Sequence, residues 1–463
     1  MCRAIVSLKH RNNKMNKLFT PLLVTLLSFG PEAFAAVSAE EAAKLNKELT
    51  PFGAERAGNK DGTIPAWTGG YTTPIPGDEP GGRRGDPFKD EKPQFSITPA
   101  NADQYADKLT DGTLALLKKY PESFRINVYK THRTAAAPQW VYDNTFKNAT
   151  RGKMNGDIPE GVYGGVPFPI PQSGAEVMWN HVLRWRGVST SQMFKGYQLT
   201  ANGKAVLVSD LIQDIEMPYY LPDSNLEELA STNNYWRSRL DTTGPAIRAG
   251  EALAGVENFD GDKTQAWVYL VGQRRVRKLP NACCDTPSPA TAGVMSFDEV
   301  TTFAGRLDRF DWKIIGKQEK YVPYNSNGAL QVKDDKELIS EHHLNPDHVR
   351  WELHRVWVVE ANLRSGKRHQ AVRSRYYCDE DSWICLLGDR WDAKGQLWKT
   401  LHADAVVAPD APAVVMTSFG FNDLISGTAF EAIINNKPKQ YALVPRFAND
   451  AFSADSLVGD SLR

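Results

Sequence analysis

The chain carries none of the short motifs that announce common chemistry. There is no GxSxG elbow, no Walker loop and no GxGxxG opening a helix, so nothing points to an α/β-hydrolase, a P-loop enzyme or a dinucleotide-binding unit. The glycine-rich stretch Gly161-Val162-Tyr163-Gly164-Gly165 is followed by Pro167 and reads as a turn. Charge of one sign is also missing. The sequence holds 55 basic and 55 acidic residues, which gives no basic patch for nucleic acid. Cysteine is scarce, with five residues in 463. Beyond the first 35 residues no apolar run approaches the roughly 20 residues that a membrane-crossing helix needs.

Those first 35 residues read as an export leader. Arg3, Lys9, Arg11, Lys14 and Lys17 precede an apolar run from Leu18 to Phe29, and Ala33-Phe34-Ala35 forms a small-x-small cleavage site. Its removal takes away five basic residues and one acidic residue, leaving 50 against 54 and a net charge of −4. A soluble periplasmic product is expected. Peripheral association with the outer membrane is the variant of that expectation.

Four regions follow from composition: the leader over 1–35, a Gly/Pro-rich region with helices over 36–175, a sheet domain over 176–446 and a tail over 447–463. The second region is too rich in Gly and Pro for long regular elements, yet Phe52, Trp67, Tyr71 and Phe88 mark it as an ordered wrap. Ser38 is placed to cap a helix through Glu40–Leu49, and Asn101 one through Tyr105–Lys119. From Glu176 onward strands are expected, beginning with VMWNHVLRWRGV. Asn202-Gly203 marks a hairpin. Pro222 to Gly255 looks helical, with Leu226, Leu229, Ala230 and Leu240 as core contacts, and a short helix is expected over Ala429–Asn435.

The densest β-prone stretch runs from Arg350 to Trp398. Trp351, Leu353, Trp357, Val359 and Leu363 alternate, as on a strand with one buried face. Polar turns at Arg364–Lys367, Asp379–Ser382 and Asp392–Gly395 make it an antiparallel meander. Nine to twelve strands in all exceed what a flat open sheet holds. The expected class is therefore α+β, a strongly curved antiparallel sheet forming an incomplete barrel, covered by helices.

Candidate sites are few. Trp267, Tyr269 and Val271 can share one face while Arg275 and Arg277 line the return. That suits an apolar cavity with a basic mouth, although core packing with a solvated outer face is the commoner arrangement. Trp267, Tyr269, Trp351, Leu353 and Trp357 are the candidate ligand-binding or core residues. Asp379-Glu380-Asp381 has carboxylates for calcium but lacks an EF-hand loop, and is expected to be a solvated turn. His342, His343, His348 and His354 match no metal-ligand spacing. For the cysteines left after cleavage, a Cys378–Cys385 disulfide across the turn is favoured. Buried free thiols are the alternative, and zinc ranks last because neither pair has CxxC spacing.

Five ordered segments carry a family likeness: GAERAGNKDGTIPAWTGG (53–70), WVYLVGQRRVRKLP (267–280), DWKIIGKQEKYVPYN (311–325), RWELHRVWVVEANLRSGKRH (350–369) and YYCDEDSW (376–383). In these the chain resembles domain-of-unknown-function family 1329, labelled outer-membrane lipoprotein-sorting-like. The resemblance implies a fold like the LolA and LolB carriers, with an apolar cavity inside the incomplete barrel. It implies a carrier of a lipid or other hydrophobic small molecule, serving an RND-type exporter or an outer-membrane barrel protein. It brings no catalytic residue, metal or cofactor. An exported hydrolase and a non-catalytic assembly partner of an envelope transporter are the rival readings.

Overall fold

The computed structural model describes residues 36–457 apart from Pro80, Asn281 and Asn436. The predicted leader and the last residues of the predicted tail lie outside the described residues.

Among the described residues sixteen strands form one sheet, more than the sequence suggests. Ser189–Leu199 lies near its middle. On one side Ala205–Glu216, Asn234–Gly244, Ala252–Asn258, Gln265–Leu270 and Arg275–Lys278 follow in chain order. On the other side the order runs backwards along the chain, from Ala429–Ile433 through Ala413–Asp423, Leu397–Ala408, Cys385–Trp391 and Arg373–Asp379 to Trp351–Leu363. Phe310–Pro323 pairs with this last strand along its length, and the short strands Phe95–Ile97 and Ile126–Val128 complete that edge. All these pairings are antiparallel except the single bridge between Val128 and Trp351. The two edges are not joined, so the sheet stays open. Register shifts at Gly196/Tyr197, Asp210/Leu211 and Asp404/Ala405 mark bulges, which bend strands and let so wide a sheet curl. The class is thus α+β with a large antiparallel sheet.

Two cores lie on the two faces, since neighbours such as Tyr376 and Tyr377, or Val414 and Val415, alternate between them. One core packs under the helix Asp111–Lys119. The other receives the helix Gly174–Val182, whose Val177, Met178, Trp179 and Val182 are all buried. Sequence patterning assigns this second segment to a strand. The structure corrects that: Ser173 accepts a hydrogen bond from the Glu176 amide and starts a helix buried on nearly every side, its polar Glu176, Asn180 and His181 included, so no exposed face marks the helical period.

Other local expectations shift for similar reasons. Ala429–Ile433 is a fully buried strand wedged between Ala413–Asp423 and Ser189–Leu199, not a helix. Within the interruption at Pro222–Gly255, only Leu226–Thr232 is α-helical. Leu240 sits instead on the strand Asn234–Gly244. The helix expected over Tyr105–Lys119 divides into a 3-10 helix, Ala102–Lys108, and the α-helix Asp111–Lys119, which Thr110 caps afresh. Ser38 does cap a helix, but it spans only Ala39–Ala42 before Asn46 takes a left-handed φ of 68°. The Asn202-Gly203 hairpin and the meander from Arg350 to Trp398 form as expected.

Candidate functional site

Five consecutive strands from Ser189 to Leu270 build the floor of a cavity. On each, alternate residues point the same way, bringing Phe194, Leu211, Ile215, Leu240 and Leu253 to one apolar surface. The segment from Ala282 to Ala304, which joins the sheet edge to the strand at Phe310, roofs it with Ala290, Phe297 and Val300. With the solvent at its mouth included, the space is about 1290 Å³.

Two guanidiniums stand in its wall. The helix Gly174–Val182 ends two residues before Arg184, and in the segment that follows Arg184 and Arg186 line the cavity while Trp185 does not. Trp185 packs edge-on against Trp140 and Tyr220 and donates to the Ala411 carbonyl. Arg184 and Arg186 turn to the cavity, where both are buried. Arg184 donates to the His181 carbonyl, 2.5 Å away, and approaches Met416 Sδ at 3.9 Å. Arg186 donates to the Val182 carbonyl and lies over the Trp236 indole at 5.2 Å. Burial pushes both below the usual guanidinium value, and the like charge of Arg186 lowers Arg184 further. Glu257 also lines the cavity, its carboxyl pushed up to about 7 by burial, while a 3.1 Å hydrogen bond from Thr264 opposes that rise.

The acidic turn is not solvated. Asp379, Glu380 and Asp381 are all buried, which corrects the expectation from sequence. Both oxygens of Asp381 accept from Arg133, at 2.8 and 2.7 Å. Glu380 accepts from Arg355 at 2.6 Å and Lys317 at 2.9 Å. Asp379 meets His354, which also reaches Glu352. Burial alone would lower the His354 imidazolium, but Asp379 and Glu352 outweigh it and raise it to about 9. Arg133 also donates to the carbonyls of Glu55 and Pro65, and Arg355 to those of Glu55 and Ala57. Segments 53–70, 350–369 and 376–383 therefore meet in one buried ion network that clasps the N-terminal wrap to the sheet.

His354, Asp379 and Asp381 offer ligand atoms within 4.8 Å of one another. A metal there would have to displace Arg133 from Asp381 and the imidazolium proton from its bond to Asp379, so this cluster fits a clasp better than a cation site. Cys378 and Cys385 are register partners across the turn and form a disulfide. Cys283 and Cys284 are free.

The residues singled out from sequence are not brought together. Trp267 and Tyr269 point away from the cavity that Ala266 lines, and pack with Ala252, Ala254 and Leu457 of the tail. Trp351 and Leu353 join the core under Asp111–Lys119, where Trp351 borders a smaller cleft of about 510 Å³. Trp357 belongs to the opposite core, stacked near Trp383 with Lys317 over its ring. The change of core falls where His354 and Arg355 enter the ion network. Sequence reading passed over Arg184 and Arg186, although two cations spaced by one residue inside an apolar run were the available signal.

The family model described as a protein of unknown function (DUF1329) matches residues 96–458. An uncharacterized protein of Pseudomonas aeruginosa is 39% identical over 427 residues, covering 90% of this chain and 92% of that one. Among solved structures, the chain is similar to a DUF1329 family protein from Desulfovibrio piger, at 13% identity and a TM-score of 0.40, over 58% of this chain and 92% of that one. It is also similar to a LolA superfamily protein from Nitrosomonas europaea, at 11% identity and a TM-score of 0.35, over 62% of this chain and all of that one (100%).

Proposed function

This chain belongs to the DUF1329 family, and we propose that it is a periplasmic carrier or binding protein that holds a lipid or other hydrophobic molecule in the cavity between Ser189–Leu270 and the roof at 282–304. The observation that carries the reading is the cavity itself, floored by the apolar side chains of Phe194, Leu211, Ile215, Leu240 and Leu253 and roofed by Ala290, Phe297 and Val300. Moving a sixteen-carbon acyl chain out of water into such a space gains on the order of 13 kcal/mol, at about 0.8 kcal/mol per methylene. Ordering and desolvation offset part of that gain. The remainder holds a cargo in water until a partner removes it, and an envelope transporter or outer-membrane barrel protein is the proposed partner. The basic and apolar leader supports export, and the Cys378–Cys385 disulfide is in keeping with an oxidising compartment.

We propose binding rather than turnover. The cavity wall offers apolar side chains and guanidiniums, and among the described lining residues no histidine stands beside Ser238 or Ser288 to act as a base. Native mass spectrometry of the gently purified chain tests the reading. A bound apolar molecule near one per chain is expected. A bare chain that also fails to take up a fluorescent fatty acid would overturn it.

A further inference from the structure

Eight arginines are buried among the described residues. Six of them, Arg84, Arg133, Arg239, Arg350, Arg355 and Arg390, each lie within 4.0 Å of a carboxylate. Arg184 and Arg186 do not, and both line the cavity. A buried cation is costly unless paired, so the fold carries two costly groups at one place and balances the other six. Their protein partners are the His181 and Val182 carbonyls, a thioether and an indole face.

Donors are also left over at the same wall. Arg186 Nε and Trp236 Nε1 are buried and have no hydrogen-bond partner among the described residues. Both belong to side chains that line the cavity. Guanidinium and indole N–H groups donate and cannot accept, so what completes them is an acceptor, and negative charge makes the strongest one. Glu257, the carboxyl among the described lining residues, hydrogen-bonds Thr264 and forms no ion pair with either arginine.

We propose that the cargo is an anionic amphiphile, whose carboxylate or phosphate oxygens are held by Arg184, Arg186 and the Trp236 N–H while its tail lies along Phe194, Leu211 and Leu240. This rests on the carrier reading and narrows it to a chemical class. The arginines fix which end of the cargo sits against the helix terminus, and the apolar floor takes the rest.

The test uses the full chain stripped of bound lipid, with dodecanoic acid, dodecyl phosphate, dodecanol and inorganic phosphate as probes in isothermal titration calorimetry. Dodecanoate and dodecyl phosphate are expected to bind roughly ten- to a hundredfold more tightly than dodecanol, the range of hydrogen bonds to a charged group. Arg184→Gln with Arg186→Gln is expected to bring the anions down to the affinity of the alcohol. Dodecanol binding as tightly as dodecanoate to the native chain would overturn the anionic head and leave the carrier reading standing. No binding by any of the three chains would overturn the carrier reading itself, and this inference with it. Inorganic phosphate that binds alone and displaces dodecanoate would show a site for a free anion, contrary to the proposal. Because the acid–alcohol comparison needs only the native chain, a variant that fails to fold does not rescue the idea. A thermal melt adds a readout: removing unpaired buried charge with Arg184→Met should raise the Tm of the ligand-free chain, whereas a purely structural arginine would lower it.

Discussion

His354 Nδ1 lies 3.1 Å from Asp379 Oδ1, with both side chains out of contact with solvent. The imidazolium form donates there and, through Nε2, to Glu352 at 3.2 Å. Since its value is raised to about 9 in the folded chain against about 6.5 for free histidine, the pair contributes stability that is fully present below about pH 6.5 and lost as pH rises through about 9. His402 is raised to about 9 by Glu431 against the effect of burial, so the native chain has two such sources. His354→Gln isolates one. It should cost roughly 3–5 kcal/mol at pH 6, as breaking a buried pair does, and less at pH 10, read from denaturant melts at both values.

Glu257 gives the same direction of pH dependence in a lower window, from a single carboxyl. Burial raises it to about 7, so the native chain loses stability as pH rises from about 4.5, the usual carboxyl range, and carries the full penalty above about 7. Glu257→Gln should therefore raise Tm relative to the native chain more at pH 8.5 than at pH 5, to be measured by differential scanning calorimetry.

The disulfide closes a loop of eight residues, Cys378 to Cys385. Reduction, or Cys378→Ala with Cys385→Ala, should cost about 2–3 kcal/mol by loss of the constraint on the unfolded chain. Because the same turn carries Asp379, Glu380 and Asp381, the docking of the wrap at Glu55–Ala57 should loosen with it. Hydrogen exchange over residues 52–67, faster in the variant than in the native chain, would report this.

Much of the sheet was legible because strand periodicity is local. The meander from Arg350 to Trp398 needed only alternation and three polar turns. The buried acidic turn was not legible, because burial of Asp381 depends on Arg133, 248 positions away in the chain. A carboxylate triplet in a turn looks solvated until its cations are known. Ala429–Ile433 and Gly174–Val182 failed for a related reason: each is buried on nearly every side, with Glu431, Glu176, Asn180 and His181 buried too, so no solvated face marks the period. At the candidate site the Arg/aromatic strand 267–277 drew attention, yet the cavity is lined by Ala266 and by arginines from a different segment. Strand parity settles which face is which only once the neighbouring strands are placed.

Whether the cavity holds an apolar cargo can be read at Gly255. It lines the cavity, and a Cβ built on it meets nothing closer than Ser238 Oγ at 3.7 Å, so Gly255→Phe fills the space without pressing on the backbone. Titration calorimetry with dodecanoate should show about one site on the native chain, and at least a tenfold loss of affinity in the variant, by the area of cavity that the ring occupies, with Tm unchanged or higher. Equal binding by both chains, or none by the native chain, would mean that the cargo does not sit in this cavity.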